Sequence, residues 1–247
     1  MFLFDANWHQ IVWKFEKPML ITLKFWKKSS FKNVKLRRRS VQGLMILLLK
    51  MCLVFGQQKV IVIDPGHGGT DSGAIGINDI LEKDVVLNVA KEIIGLNKTL
   101  FDERFAIYPT RYTDTLISLK DRSRLAKALK TDVFVSLHCN ASPNASQGME
   151  LYVHTSKTEE NHIKASIAIG LSILKESTGK LGFESRGVKF ANFEVLRETV
   201  AYSPSVLVEM GFMTNTNEAD YYLKPKNIRA KALAILMGLY NYLNIRL

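Results

Sequence analysis

The residues of this 247-residue chain best suited to chemistry are two histidines and two glutamates: His67, Glu82, His138 and Glu209. His67 lies in Asp64-Pro65-Gly66-His67-Gly68-Gly69, directly after the β-branched run Val60 to Ile63. The chain turns sharply there, glycines on both sides leave room around the imidazole, and Asp64 is placed to orient the ring through its second nitrogen. The competing reading is a Gly-rich turn with an incidental histidine. His138 ends Val133-Phe134-Val135-Ser136-Leu137, so it stands at the carboxyl end of a strand as His67 does. Open α/β sheets place their sites along that edge. A lone histidine there reads as a satisfied core residue, whereas two at equivalent strand ends point to a shared site.

Glu82 precedes Val86 by four residues, on the helical face of Val86, Val89 and Ile93 that should meet the core. A carboxylate on such a stripe needs a partner. Asp79 as N-cap with Glu82 three residues later resembles a capping box, which would explain the glutamate locally. With two histidines available, a His67, Glu82, His138 set around one zinc ion explains it better, because catalytic zinc commonly takes three protein ligands and leaves a fourth position for water. Glu209 closes Val206-Leu207-Val208 ahead of Met210-Gly211-Phe212. A charge at the end of a buried strand is costly unless it is used. It is either half of an ion pair or a general base for an attacking water, a role typically worth about 10² to 10⁴ in rate.

The elements that must position these groups are legible as alternating periodicities. Val60 to Ile63, Asp132 to Leu137, Met149 to Val153 and Ser205 to Val208 are short and rich in β-branched residues, as buried strands are. Helical spacing links Val86, Val89, Ala90, Ile93 and Ile94, then Ile163, Ile167 and Leu171, and finally Ile228, Ala232, Ile235, Leu239 and Leu243. The alternation predicts an α/β layer structure, a single domain over residues 57–247 with no internal repeat.

The formal charge of +11 raises nucleic acid or an anionic surface as a partner, but its distribution argues otherwise. Residues 1–40 hold ten Lys/Arg against two acids, and beyond residue 56 there are 23 basic and 21 acidic residues. No basic stripe remains in the body, so nucleic acid is excluded as the expected partner. The basic segment ends in Lys35-Leu36-Arg37-Arg38-Arg39 and meets the apolar stretch Val41 to Phe55, the order of an export signal. Residues 1–56 therefore read as a basic leader with an apolar export signal or anchor, and Arg38-Arg39 carries a weak twin-arginine pattern. Lys50 interrupts the apolar run, and it is shorter than the roughly 20 residues of a spanning helix. An exported protein, periplasmic or envelope-associated, is expected. Of two cysteines, Cys52 lies in the leader, and Cys139 reads as a small buried apolar residue, which excludes redox chemistry and an internal disulfide in the domain.

With these residues in hand, the chain from about 59 to 246 resembles the zinc-dependent N-acetylmuramoyl-L-alanine amidases of amidase family 3. The resemblance rests on seven ordered motifs: VIVIDPGHGGTDSGAIG, the glutamate of ILEKDVVLNVA, TRYTDTLISLKDRSRLA, SLHCNASP, ELYVHTSK, RGVK at 186–189, and LVEMGFMTN. It implies a mixed, mostly parallel twisted sheet of about six strands flanked by helices. It makes His67, Glu82 and His138 the zinc ligands and Glu209 the catalytic glutamate, coinciding with the residue-level reading. It further implies cleavage of the amide between N-acetylmuramic acid and L-alanine of the peptidoglycan stem. Arg186 in RGVK is a candidate substrate contact, with a structural ion pair as its alternative.

Some relatives carry a helix that plugs the zinc cleft between the segments matching Glu150 to His154 and RGVK. Here that interval, Thr155 to Ser185, spans 31 residues, room for one ordinary helix and a loop. The expectation is a monomer without a full plug and with little need of an activator, although an envelope activator protein stays a candidate partner. A zinc peptidase acting within the stem and a catalytically inactive wall-binding protein are the competing functions.

Overall fold

In a computed structural model, the described residues are 58–245, apart from 145 and 157. Residues 1–56, where a basic leader with an apolar export signal or anchor is expected, lie outside them. In chain order the elements are β1 (Lys59–Pro65), α1 (Glu82–Leu100), β2 (Phe105–Pro109), α2 (Leu119–Ala128), β3 (Val133–Asn140), β4 (Met149–Val153), α3 (Glu160–Leu181), β5 (Ser185–Phe190), α4 (Glu194–Thr199), β6 (Ser205–Phe212), α5 (Thr216–Tyr222) and α6 (Pro225–Ile245). They build one six-stranded sheet in the order β2-β1-β3-β6-β4-β5. Neighbouring strands are parallel except β4 and β6, which run antiparallel. The expected mixed, mostly parallel α/β sheet of six strands is therefore present. Its unanticipated parts are β2, β5 and the short helices α2, α4 and α5, whose runs are too brief or too polar to carry a clear period.

Strand alternation divides the core between two unequal layers. Ile61, Ile63, Val133, Val135, Leu137, Val206 and Val208 face the large apolar layer under the long helices α1, α3 and α6. Val62, Phe134 and Leu207 face a small layer with Ala126 of α2 and Val195 and Leu196 of α4. Carried two residues on, that second parity leads to Asp64, Ser136, His138 and Glu209. The polar side chains at the carboxyl ends of β1, β3 and β6 thus emerge on the face covered by only ten and six residues of helix. A thin cover there leaves a cleft open.

The interval from Thr155 to Ser185 is taken up by α3, a 22-residue helix that buries Ala165, Ile169, Ile173 and Leu174 in the large layer. It is core, on the opposite side from the cleft. Among the described residues, no helix is long and apolar enough to cross a membrane.

Candidate active site

His67 follows the last residues of β1 in a turn where its own backbone is left-handed, with φ 57°. That conformation is uncommon for a non-glycine residue and persists where the surroundings over-determine it. Two buried arginines supply the constraint. Arg111 donates from Nε to the Pro65 carbonyl (3.1 Å) and from Nη2 to those of Gly66 and Lys83 (2.8 Å each). Arg122 donates from Nη1 to Asp64 (2.7 Å) and the Pro65 carbonyl (2.8 Å), and from Nη2 to the His67 carbonyl (2.7 Å). Three successive carbonyls of the turn are thus held by guanidinium forks, whose planar donor geometry suits such a cage.

The turn brings the His67 ring opposite His138 at the end of β3. His67 Nε2 lies 3.1 Å from His138 Nδ1, and both face the same Glu82 oxygen, Oε1, at 3.1 and 2.9 Å. Glu82 enters as the first residue of α1 and is 3% exposed. Its carboxylate is fixed by backbone donors: Cys139 N to Oε1 at 2.9 Å and Ala74 N to Oε2 at 2.7 Å. The capping-box explanation fails here, because the N-cap is Leu81 without a side-chain cap, and Asp79 sits outside the helix with φ 63°. Burial alone would raise Glu82, but hydrogen bonds from His138 and His67 bring it down to about 2. Burial alone would lower His67, but hydrogen bonding and charge from Glu82, then Asp71, bring it up to about 9.

Two glycines make the convergence sterically feasible. A Cβ on Gly66 would fall 2.3 Å from His138 Cε1, and one on Gly73 would fall 2.5 Å from Glu82 Oε2 and 2.6 Å from His67 Cδ2. The three donors are the mixed nitrogen and oxygen set that zinc favours, and their atoms all lie within 4.8 Å of one another. Tetrahedral ligands held about 2.0–2.1 Å from zinc would stand roughly 3.3 Å apart, close to the spacing present. The residues fit the ion.

The carboxylate that orients His67 is Asp71, not Asp64. His67 Nδ1 donates to Asp71 Oδ2 at 2.8 Å, the outer support that histidine ligands usually have. Asp64 instead accepts from Thr110 Oγ1 (2.6 Å), Ser136 Oγ (2.7 Å) and Arg122, and acts on His67 only through the arginine that holds its carbonyl. Asp71 was available to sequence reasoning as the acid four residues past His67 in GTDSG. Arg111 and Arg122 lay in the TRYTDTLISLKDRSRLA stretch, but nothing in their spacing tells a buried clamp from a solvated charge.

Glu209 pairs with His138 across β3 and β6. Its Oε2 is buried without a hydrogen-bond partner among the described residues, and burial pushes the carboxyl up to about 7. It opens onto a cavity of about 750 Å³ that His67, His138, Asp71, Leu116, Phe193 and Leu207 also line. Arg186 does not line this cavity; its Nε donates to buried Glu150 at 2.9 Å. Cys139 is buried and free, and burial pushes its thiol well up, so it serves as packing.

A model of the N-acetylmuramoyl-L-alanine amidase family matches residues 61–241. The chain belongs to this family. Among other members, AmiA of Escherichia coli (strain K12) is 33% identical over 229 residues, covering 76% of this chain and 77% of its own. The solved N-acetylmuramoyl-L-alanine amidase from Clostridium difficile 630 aligns with a TM-score of 0.69 at 31% identity, covering 76% of this chain and 98% of the other. The catalytic domain of the amidase CwlV from Bacillus (Paenibacillus) polymyxa var. colistinus aligns at 0.64 and 32% identity, covering 76% and 99%. The family match thus spans nearly all of the described residues.

Proposed function

We propose that this amidase hydrolyses the bond between the lactyl group of N-acetylmuramic acid and L-alanine of the peptidoglycan stem, with one zinc ion held by His67, Glu82 and His138 and with Glu209 as general base. The observation that carries the reading is the opening of a three-donor site and of Glu209, whose Oε2 is buried and unpartnered among the described residues, onto one cavity. When bound, zinc would supply Lewis acidity toward the scissile carbonyl and make water a better nucleophile. The chain's residues do the rest. Glu82, fixed by two backbone amides, and His67, held by Asp71, keep their lone pairs on a common point. Glu209, neutral or ionised near pH 7 by virtue of its burial, takes the proton of the attacking water and passes it to the departing alanine nitrogen. The partly apolar cavity limits competing solvent around that transfer.

The basic and then apolar segment 1–56 supports export to the periplasm or envelope, where the substrate lies. Since α3 is part of the core and contributes nothing to the cavity wall, this domain works without an activator displacing that helix. The test is release of free stem peptides from purified peptidoglycan with zinc, with a chelator, and with Glu209→Gln. Stem release should need zinc and fall about 10² to 10⁴-fold in the variant. Shortened stems still attached to sugar would instead establish a stem peptidase, and a zinc-loaded folded protein that releases nothing would favour a binding role.

A further inference from the structure

The cleft wall beyond Glu209 holds a charged cluster that the hydrolytic step does not use. Glu150 opposes Glu209 across the β4 and β6 pair and is 3% exposed. Directly opposed residues of an antiparallel pair project to the same face. A buried carboxylate needs compensation, and Glu150 has twice the charge required. Arg186 Nε donates to its Oε2 at 2.9 Å, and Lys189 Nζ reaches the same oxygen. Its Oε1 meanwhile accepts from Asn140 Nδ2 at 2.8 Å and the Tyr152 hydroxyl at 2.7 Å. Two cations therefore share one carboxylate, and the Glu184 carboxylate lies near enough to act on Arg186 as well.

Both cations are held in place while part of each stays open. Arg186 rests over the Phe212 ring at 5.1 Å, and its Nη1 donates to the Gln147 carbonyl at 3.3 Å. Lys189 stands 6.0 Å from the centre of the Tyr152 ring, which meets Phe193 edge-on at 5.3 Å. Phe193 lines the catalytic cavity, so this aromatic pair stands between the cluster and the cavity. The side chains of Arg186 and Lys189 remain 32% and 40% exposed. A pre-oriented guanidinium and ammonium with unused donors suit a carboxylate.

We propose that Arg186 and Lys189, carried on Glu150, form a carboxylate-binding subsite for the acidic second residue of the stem peptide. The inference rests on the peptidoglycan reading above. Neighbouring strands lie roughly 5 Å apart, and the cations reach about a hydrogen bond further, so the subsite stands roughly 8 Å from Glu209. An extended peptide advances about 3.5 Å per residue, which brings the second residue past the cut into range.

The test uses two synthetic muramoyl peptides that differ only in a carboxylate or a carboxamide at the second stem residue. Wild type, Arg186→Gln and Lys189→Gln are compared, since glutamine can still donate to Glu150. KM and kcat are measured for both substrates, and binding of both free stem peptides by calorimetry. Wild type should favour the carboxylate by about tenfold in KM and in binding, the effect of one hydrogen bond between charged groups, and each variant should lose most of that preference. Cations that only neutralise Glu150 would leave wild type without a preference, or would weaken both substrates alike in the variants; either result overturns the proposal. If the preference appears in binding while neither substrate is cut, the amidase reading fails and the subsite stands.

Discussion

Lys231 of α6 is fully buried, its ammonium 3.1 Å from the Met210 carbonyl and 3.2 Å from the centre of the Phe183 ring. Burial lowers it from 10.5 to about 7. The unfolded chain therefore keeps this proton up to about pH 10.5, the folded protein only to about pH 7. Between those limits unfolding takes up a proton, so the lysine's contribution to stability rises with pH across the window and is at its worst below pH 7. At 1.36 kcal/mol per unit, the difference between the two ends is about 5 kcal/mol. Lys231→Met keeps the volume and removes the ionisable group. It should raise the unfolding free energy by several kcal/mol at pH 6 and, at pH 10.5, lower it by about 1 kcal/mol for the lost hydrogen bond to Met210. Urea titrations of both proteins at pH 6, 7.5, 9 and 10.5, with chelator throughout so that metal binding does not contribute, read the difference directly. A Lys231→Met protein that is less stable than wild type by the same amount at every pH would refute the reasoning. It would mean that the Phe183 ring and the Met210 carbonyl compensate the buried charge.

Gly66→Ala puts a methyl group into the His138 ring while leaving a backbone that alanine tolerates, since Gly66 is not left-handed. It should cost about 100-fold in kcat/KM and weaken zinc binding, read by chelator competition, with a small change in Tm. Asp71→Asn removes the carboxylate from His67 Nδ1 and should weaken zinc affinity by about 10 to 100-fold, measured the same way. Arg122→Met strands the buried Asp64 carboxylate and frees the His67 carbonyl, so denaturant unfolding should show a loss of about 3–5 kcal/mol.

The donors His67 and His138, and with them Glu209, were legible because strand polarity is local information. A β-branched run that stops at a histidine or glutamate places that group at a carboxyl end, and parallel strands bring such ends to one edge of the sheet. Glu82 was legible for a related reason, as a charge on a stripe that had to be buried. Lys231 lay on a similar stripe, four residues before Ile235, and could have been read as a buried cation; nothing local named Phe183 or Met210 as its neighbours.

What only the tertiary structure decided is which charge meets which. Asp64 and Asp71 are three and four residues from His67, and sequence distance favours neither. The left-handed backbone at His67 turns the ring toward Asp71, while Asp64 is claimed by Arg122, 58 residues away. Arg186 finds Glu150 only because β5 pairs in parallel with β4 across the whole length of α3. Periodicity along a chain reports which face a side chain takes. Its partner depends on how distant strands are ordered in the sheet and how far side chains reach between them, and no local pattern carries that.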